Sequence, residues 1–270
     1  GPLTLIGDAE IGGQGGGGIL GPISGPFKLT LCASSTVNGD TMLANSNNSW
    51  SGDTTLTARS NAGANSLTSS NNEVIPNGLG KGNVFMQGFS TATITWNLNG
   101  FNETINGLST IGTAATCFIQ NANASTVSTL TVGDNDQSGN FGGLIRDNAG
   151  SGGTMALVKI GGGTETLAGA DTYTGSTVVS NGVLALSGAG AIANSSSISV
   201  LDGATLDVSG KTGAFTLSSN PVGFTNATFL IGAAQPTVST LVLSNSMLTV
   251  ALNLSSPNLV ASSLATDGSS

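Results

Sequence analysis

The residues best suited to chemistry in this 270-residue chain gather at Asp134-Asn135-Asp136-Gln137-Ser138-Gly139. Oxygen ligands alternate there and a glycine offers a sharp turn, as at the start of a calcium loop. Such a loop closes on a bidentate glutamate, and Ile145 stands at that position. A plain Asx-rich turn between Val132 and Phe141 explains the run equally well. Polysaccharide lyases and glycosidases need paired carboxylates, or a calcium with a basic residue. Asp134, Asp136 and Arg146 are the candidates for that set. The chain has no histidine and no second acidic cluster, so general acid–base work has few players, and isolated turn charges are the expected reading.

Other candidates fail on similar grounds. Gly12-Gly13-Gln14-Gly15-Gly16-Gly17-Gly18 lacks the Lys-Ser/Thr ending of a phosphate loop and holds no Asp for a glycine-rich calcium repeat. It reads as a flexible bend. Trp50, Tyr173, Trp96, Phe85 and Phe89 could stack sugars, but aromatics in strands usually pack on neighbouring strands. Sequons such as Asn102-Glu103-Thr104 and Asn226-Ala227-Thr228 are expected by chance in so Asn- and Thr-rich a chain and are assigned no glycan. The site expectation is therefore no catalytic residue, no cofactor and no metal.

Composition sets the frame for these residues. Charged residues make up 7%, against about 25% in ordinary globular proteins, so salt bridges do not organise this chain. Hydrophobic residues reach 38%, enough to bury a core and to exclude disorder. The formal charge of −8, with only Lys28, Lys81, Lys159, Lys211, Arg59 and Arg146 as scattered cations, argues against nucleic acid. No apolar run approaches the roughly 20 residues of a membrane helix.

Helix periodicity is missing, and short alternating runs replace it. Phe27–Cys32, Thr93–Leu98, Ser128–Val132, Ser197–Leu201 and Thr240–Leu243 are each bounded by Gly, Asn or Asp turns. Two passages repeat. Asn48-Ser49-Trp50-Ser51-Gly52-Asp53-Thr54-Thr55-Leu56 matches Asp171-Thr172-Tyr173-Thr174-Gly175-Ser176-Thr177-Val178-Val179, and Thr95–Gly100 matches Thr205–Gly210. Repetition with unequal spacing fits a regular stack carrying irregular loops, in which each coil buries one face of its strands against the next. With about 20 to 25 residues per coil the chain makes roughly 11 to 13 coils, a rod on the order of 55 Å long at one strand spacing per coil. On such a stack Cys32 and Cys117 lie about four coils apart, beyond the roughly 7 Å reach of a disulfide. Both are expected as free, buried thiols.

The residues also carry a resemblance. Lys159-Ile160-Gly161-Gly162-Gly163-Thr164-Glu165-Thr166-Leu167-Ala168-Gly169-Ala170-Asp171-Thr172-Tyr173-Thr174-Gly175-Ser176-Thr177-Val178-Val179 resembles the autotransporter-associated β-strand repeat, also called the passenger-associated transport repeat. Ser180–Leu186 and Gly203–Gly210 look like its second half. Two departures stand out: Glu165 where an apolar strand residue is usual, and Asp171 where Asn is common.

The resulting expectation is an all-β chain, with the resemblance implying a right-handed parallel β-helix (β-solenoid). It forms a single continuous segment over 1–270, with repeat-like units at about 45–110 and 159–210. The resemblance implies an exported protein, extracellular or on the cell surface of a bacterium. The expected role is a non-catalytic structural rod or filament segment, with an adhesin that binds polysaccharide or a host or partner surface as the alternative. The chain starts at Gly1 without Met and shows no capping helix over 1–31 or over the run Met247–Leu252. Self-association through open ends, or continuation of the same polypeptide, is expected.

Overall fold

The computed structural model describes residues 1–12, 17–32, 39–59, 63–148, 150, 152–250 and 259–266. Part of the glycine bend, Gly13–Gly16, and the end of the C-terminal run, Ala251 and Leu252, lie outside them. Among the described residues the chain is all strands and turns, with two three-residue 3-10 turns at Ala114–Thr116 and Asp134–Asp136. Strands pair in parallel, those inside a sheet with a strand one coil earlier and one coil later, so the chain winds into a β-solenoid.

Three faces divide the winding unequally. An eleven-stranded sheet starts at Ala9–Ile11 and ends at Met247–Val250. A six-stranded sheet lines a second face from Gly17–Ile19 to Leu144–Asp147 and stops there. The third face opens with two short strands, Leu3–Thr4 and Ile23–Ser24, and its nine-stranded sheet begins at Glu103–Ile105. Sheets thus begin and end inside the rod, where an edge leaves main-chain N–H and C=O groups without a strand partner.

Alternation explains the core. In Thr93–Asn97, Ile94 and Trp96 point inward while Thr93, Thr95 and Asn97 point out. Register then stacks like on like: Leu67, Trp96, Ile119 and Ile145 form one column, and Leu184, Leu206 and Phe229 another. One apolar cluster runs from Leu5 to Leu241. Each fully buried aliphatic side chain contributes about 1.5–3 kcal/mol, which an isolated coil could not collect.

Coil length varies more than the 20 to 25 residues expected. It is 19 from Thr164 to Val183 but 30 from Thr54 to Val84 and 31 from Ser109 to Asn140. The surplus goes into corner excursions, which cost little loop entropy. The junction between Leu108–Gly112 and Gly139–Phe141 is the sparsest of the long sheet, with Ser109 to Asn140 as its one registered pair.

Candidate functional site

The sequence candidates fall at separate places. Asp134–Asp136 form a turn that follows Gly133 in the left-handed region (φ 96°). Oδ1 of Asp134 accepts the Asn135 N–H at 2.9 Å, and Oδ1 of Asp136 accepts the Gly162 N–H one coil later at 2.5 Å. Arg146 lies on the six-stranded face, its guanidinium 4.1 Å above the Phe118 ring, and donates to Oε1 of Gln120 at 2.9 and 3.1 Å. Ile145 is a buried core residue. Among the described residues no group of three or more His, Cys, Asp or Glu is placed to hold a metal.

The aromatics separate as well. Trp50, Trp96 and Tyr173 are buried, whereas Phe89 is 48% exposed and Phe85 sits half-buried on the outer face. Each buried ring places its polar atom on a hydroxyl, as burial requires. Trp50 Nε1 donates to Thr54 Oγ1 (2.9 Å) and Trp96 Nε1 to Ser69 Oγ (3.2 Å). Tyr173 Oη lies 2.6 Å from Thr177 Oγ1, which is 2.7 Å from Ser195 Oγ. Cys32 and Cys117 are free and buried, as the stack requires, with burial pushing both thiols up to about 12. Cys117 is on a strand, but Cys32 lies just past Leu29–Leu31 at a corner with φ 63°.

The most distinctive chemistry is inside the rod. Asn48 closes the upper edge of the Ile23–Ser24 strand: its Oδ1 accepts the Ile23 N–H (2.8 Å) and its Nδ2 donates to Val74 O (2.7 Å). Asp171 closes the upper edge of the six-stranded sheet: its Oδ1 accepts the Ile145 N–H at 2.7 Å, and its buried Oδ2 has no partner among the described residues. Glu103, on the first strand of the nine-stranded sheet, reaches down and accepts the N–H groups of Ile75 (2.6 Å) and Val74 (3.1 Å). Burial pushes the Glu103 and Asp171 carboxyls well above their usual range. These side chains do at sheet edges what a further strand would do.

Two lysines act on corners. Lys159 occupies a core column between Val132 and Val179 and is fully buried. Its ammonium donates to the carbonyls of Ile160 (2.5 Å), Gly161 (2.8 Å) and Asn181 (3.3 Å). Gly133 makes room, since a Cβ there would lie 3.0 Å from Nζ and 2.3 Å from Ile160 O. Lys211 donates to Gly188 O and Gly190 O and lies 4.8 Å from the Phe215 ring. Burial lowers the pKa of both amines. Glu165 stands in a column between Gly139 and Leu184 and reaches past Gly139 to accept the Leu108 N–H at 3.3 Å. Burial raises its pKa to about 8, against the Leu108 N–H and Lys159, which favour the anion.

The sequence reading named Glu165 and Asp171 only as departures from the repeat pattern, counted the lysines only as scattered cations, and assigned none of them a place in the interior. The signal was strand alternation: Met155 and Leu157 point inward, and so does Lys159; Leu167 points inward, and so does Glu165.

A parallel β-solenoid whose buried polar groups hold main chain to main chain is thus the class that fold and interior define. Within it, residues 157–186 match the passenger-associated-transport-repeat family, the stretch from Lys159 to Leu186 on which the resemblance rested. No curated protein matches the chain.

Proposed function

We propose that this chain is a non-catalytic rod segment of a secreted or surface-exposed bacterial protein, with stiffness and spacing as its role. The observation behind this reading is where the interior polar groups go. Glu103, Glu165, Asp171, Lys159 and Lys211 all bond main-chain groups. An enzyme aims such groups at a cavity and a substrate; here they serve the stack. The repeat at 157–186 supports export. The outermost strands of the long sheet, Ala9–Ile11 and Met247–Val250, pair on one side only among the described residues, so more of the same polypeptide or a second copy is expected to cover them.

The test is incubation of purified protein with a panel of polysaccharides. The expected result is no turnover; turnover abolished by D134N, D136N or R146Q would overturn the reading. Light scattering with negative-stain microscopy examines the ends: chains of rods support coverage by a second copy, and monodisperse short rods reject it.

An adhesin is the second reading, favoured by a shallow depression of about 470 Å³ beside Phe118, lined by Gly142, Gly143, Leu144, Ala168 and Ala170. A glycan array that detects binding lost in F118A would move the assignment to that class.

A further inference from the structure

Among the described residues three carboxyl side chains, those of Glu103, Glu165 and Asp171, are buried, and they are not equally provided for. Glu103 receives an N–H on each oxygen. Asp171 receives one from Ile145 and Glu165 one from Leu108, while Asp171 Oδ2 and Glu165 Oε1 are buried with no partner among the described residues. An enclosed anion with one donor is poorly stabilised, whereas the neutral acid carries no charge into the interior. At the matching Asn48 corner the side chain accepts from the coil below and donates to the coil above. A protonated carboxyl offers that same pair, an oxygen and an O–H.

We infer that the stretch carrying the repeat is an alkali-sensitive joint in the rod: Asp171 and Glu165 sit inside it as neutral acids, and their ionisation opens the coils that they tie at Ile145 and Leu108. The charged surroundings do not cancel this. Tyr173 is the titratable neighbour of Asp171, and its phenol is itself pushed up, by burial first and by Asp171 second, against the Thr177 and Ser195 hydroxyls. Lys159 is the charged neighbour of Glu165 and has Asp136 beside it as well.

The direction of the effect is fixed by the two protonation states. Both acids hold a proton in the closed coil and lose it once opened to water, where carboxyls titrate near pH 4. Stability from these sites is therefore complete below about pH 4 and declines as pH rises, each acid making opening about tenfold easier per pH unit. For Glu165 the decline ends near pH 8, where the enclosed acid itself ionises.

Hydrogen–deuterium exchange of the full chain between pH 5 and pH 8, corrected for intrinsic exchange, measures this locally. Protection of the Ile145 and Leu108 amides is expected to fall with pH by about tenfold per unit relative to Ile23, which the neutral Asn48 holds. D171N should flatten the fall at Ile145, E165Q the fall at Leu108, and N48D should transfer a fall to Ile23. Equal pH dependence at Ile23 and Ile145, or a fall at Ile145 that survives D171N, would overturn the inference. So would a D171N protein that does not fold, because the inference makes asparagine a natural occupant of that corner.

Discussion

The corner at Asn48 and the corner at Asp171 share a skeleton of Asx, aromatic, Gly and Thr, yet they close differently. In both, the Asx oxygen accepts an N–H from the edge strand below, and an inward aromatic places its polar atom on the threonine four residues on. Asn48 completes the contact with its amide nitrogen on Val74 O, whereas Asp171 leaves an oxygen without a partner. A buried polar group is stabilised when each of its polar atoms finds a partner, and at Asn48 the side chain both accepts and donates. Asparagine does so at every pH, and aspartate only while protonated.

The largest expected effect tests whether the two corners carry equal weight. Trp50→Ala and Tyr173→Ala should each cost about 3–5 kcal/mol in urea unfolding, as truncated core aromatics do; a much smaller loss at Tyr173 would show that the second corner is not built around its ring. Next comes the exchange of Asx chemistry. Asn48→Asp should cost about 1–3 kcal/mol at pH 8, the range for a buried group left without its partner, and recover toward wild type at pH 5, where the new acid is neutral. Asp171→Asn should shift stability the opposite way at pH 8.

The lysines extend the comparison to charge. Lys159→Met orphans three buried carbonyl contacts and should cost about 1–3 kcal/mol. Lys81 donates to Ser49 O beside the first corner, at an exposed position, and Lys81→Met should stay within about 0.5 kcal/mol. Equal losses would mean that burial of the ammonium is irrelevant. The smallest effect is kinetic. With both thiols raised to about 12 by burial, neither Cys32 nor Cys117 should react with a thiol reagent at pH 8 until the coils open, and rapid labelling of one would locate a part that opens alone.

Much of this was readable from alternation. The run Thr93–Leu98 became the strand Thr93–Asn97, and Ser128–Val132 became Val127–Val132. The repeated corner motif was readable too, because its bonds are local, from a residue to the fourth beyond it. Its place on the rod was not. Thr54 enters the eleven-stranded sheet and Thr177 the nine-stranded one, since the face that follows a corner is set by loop lengths on either side. The buried caps were hidden for another reason. Glu103 and Glu165 violate the apolar-inside rule, and the main-chain N–H groups that make the violation favourable lie 28 and 57 residues away at Ile75 and Leu108. Lys159 violates it too, and ties the carbonyls next to it, of Ile160 and Gly161, to that of Asn181 22 residues on.

In a parallel solenoid the interstrand hydrogen bonds run along the winding axis, so tension applied end to end loads the coils in series. Tensile strength then follows the weakest junction rather than the sum of all of them. On the long sheet that junction is Ser109 against Asn140, the single registered pair. Glu165 crosses it from the coil beyond, through the gap left by Gly139, to the Leu108 N–H. One side chain spans two coils there like a stitch across a seam, reinforcing on the long sheet a boundary that the other two faces hold with three and four registered pairs.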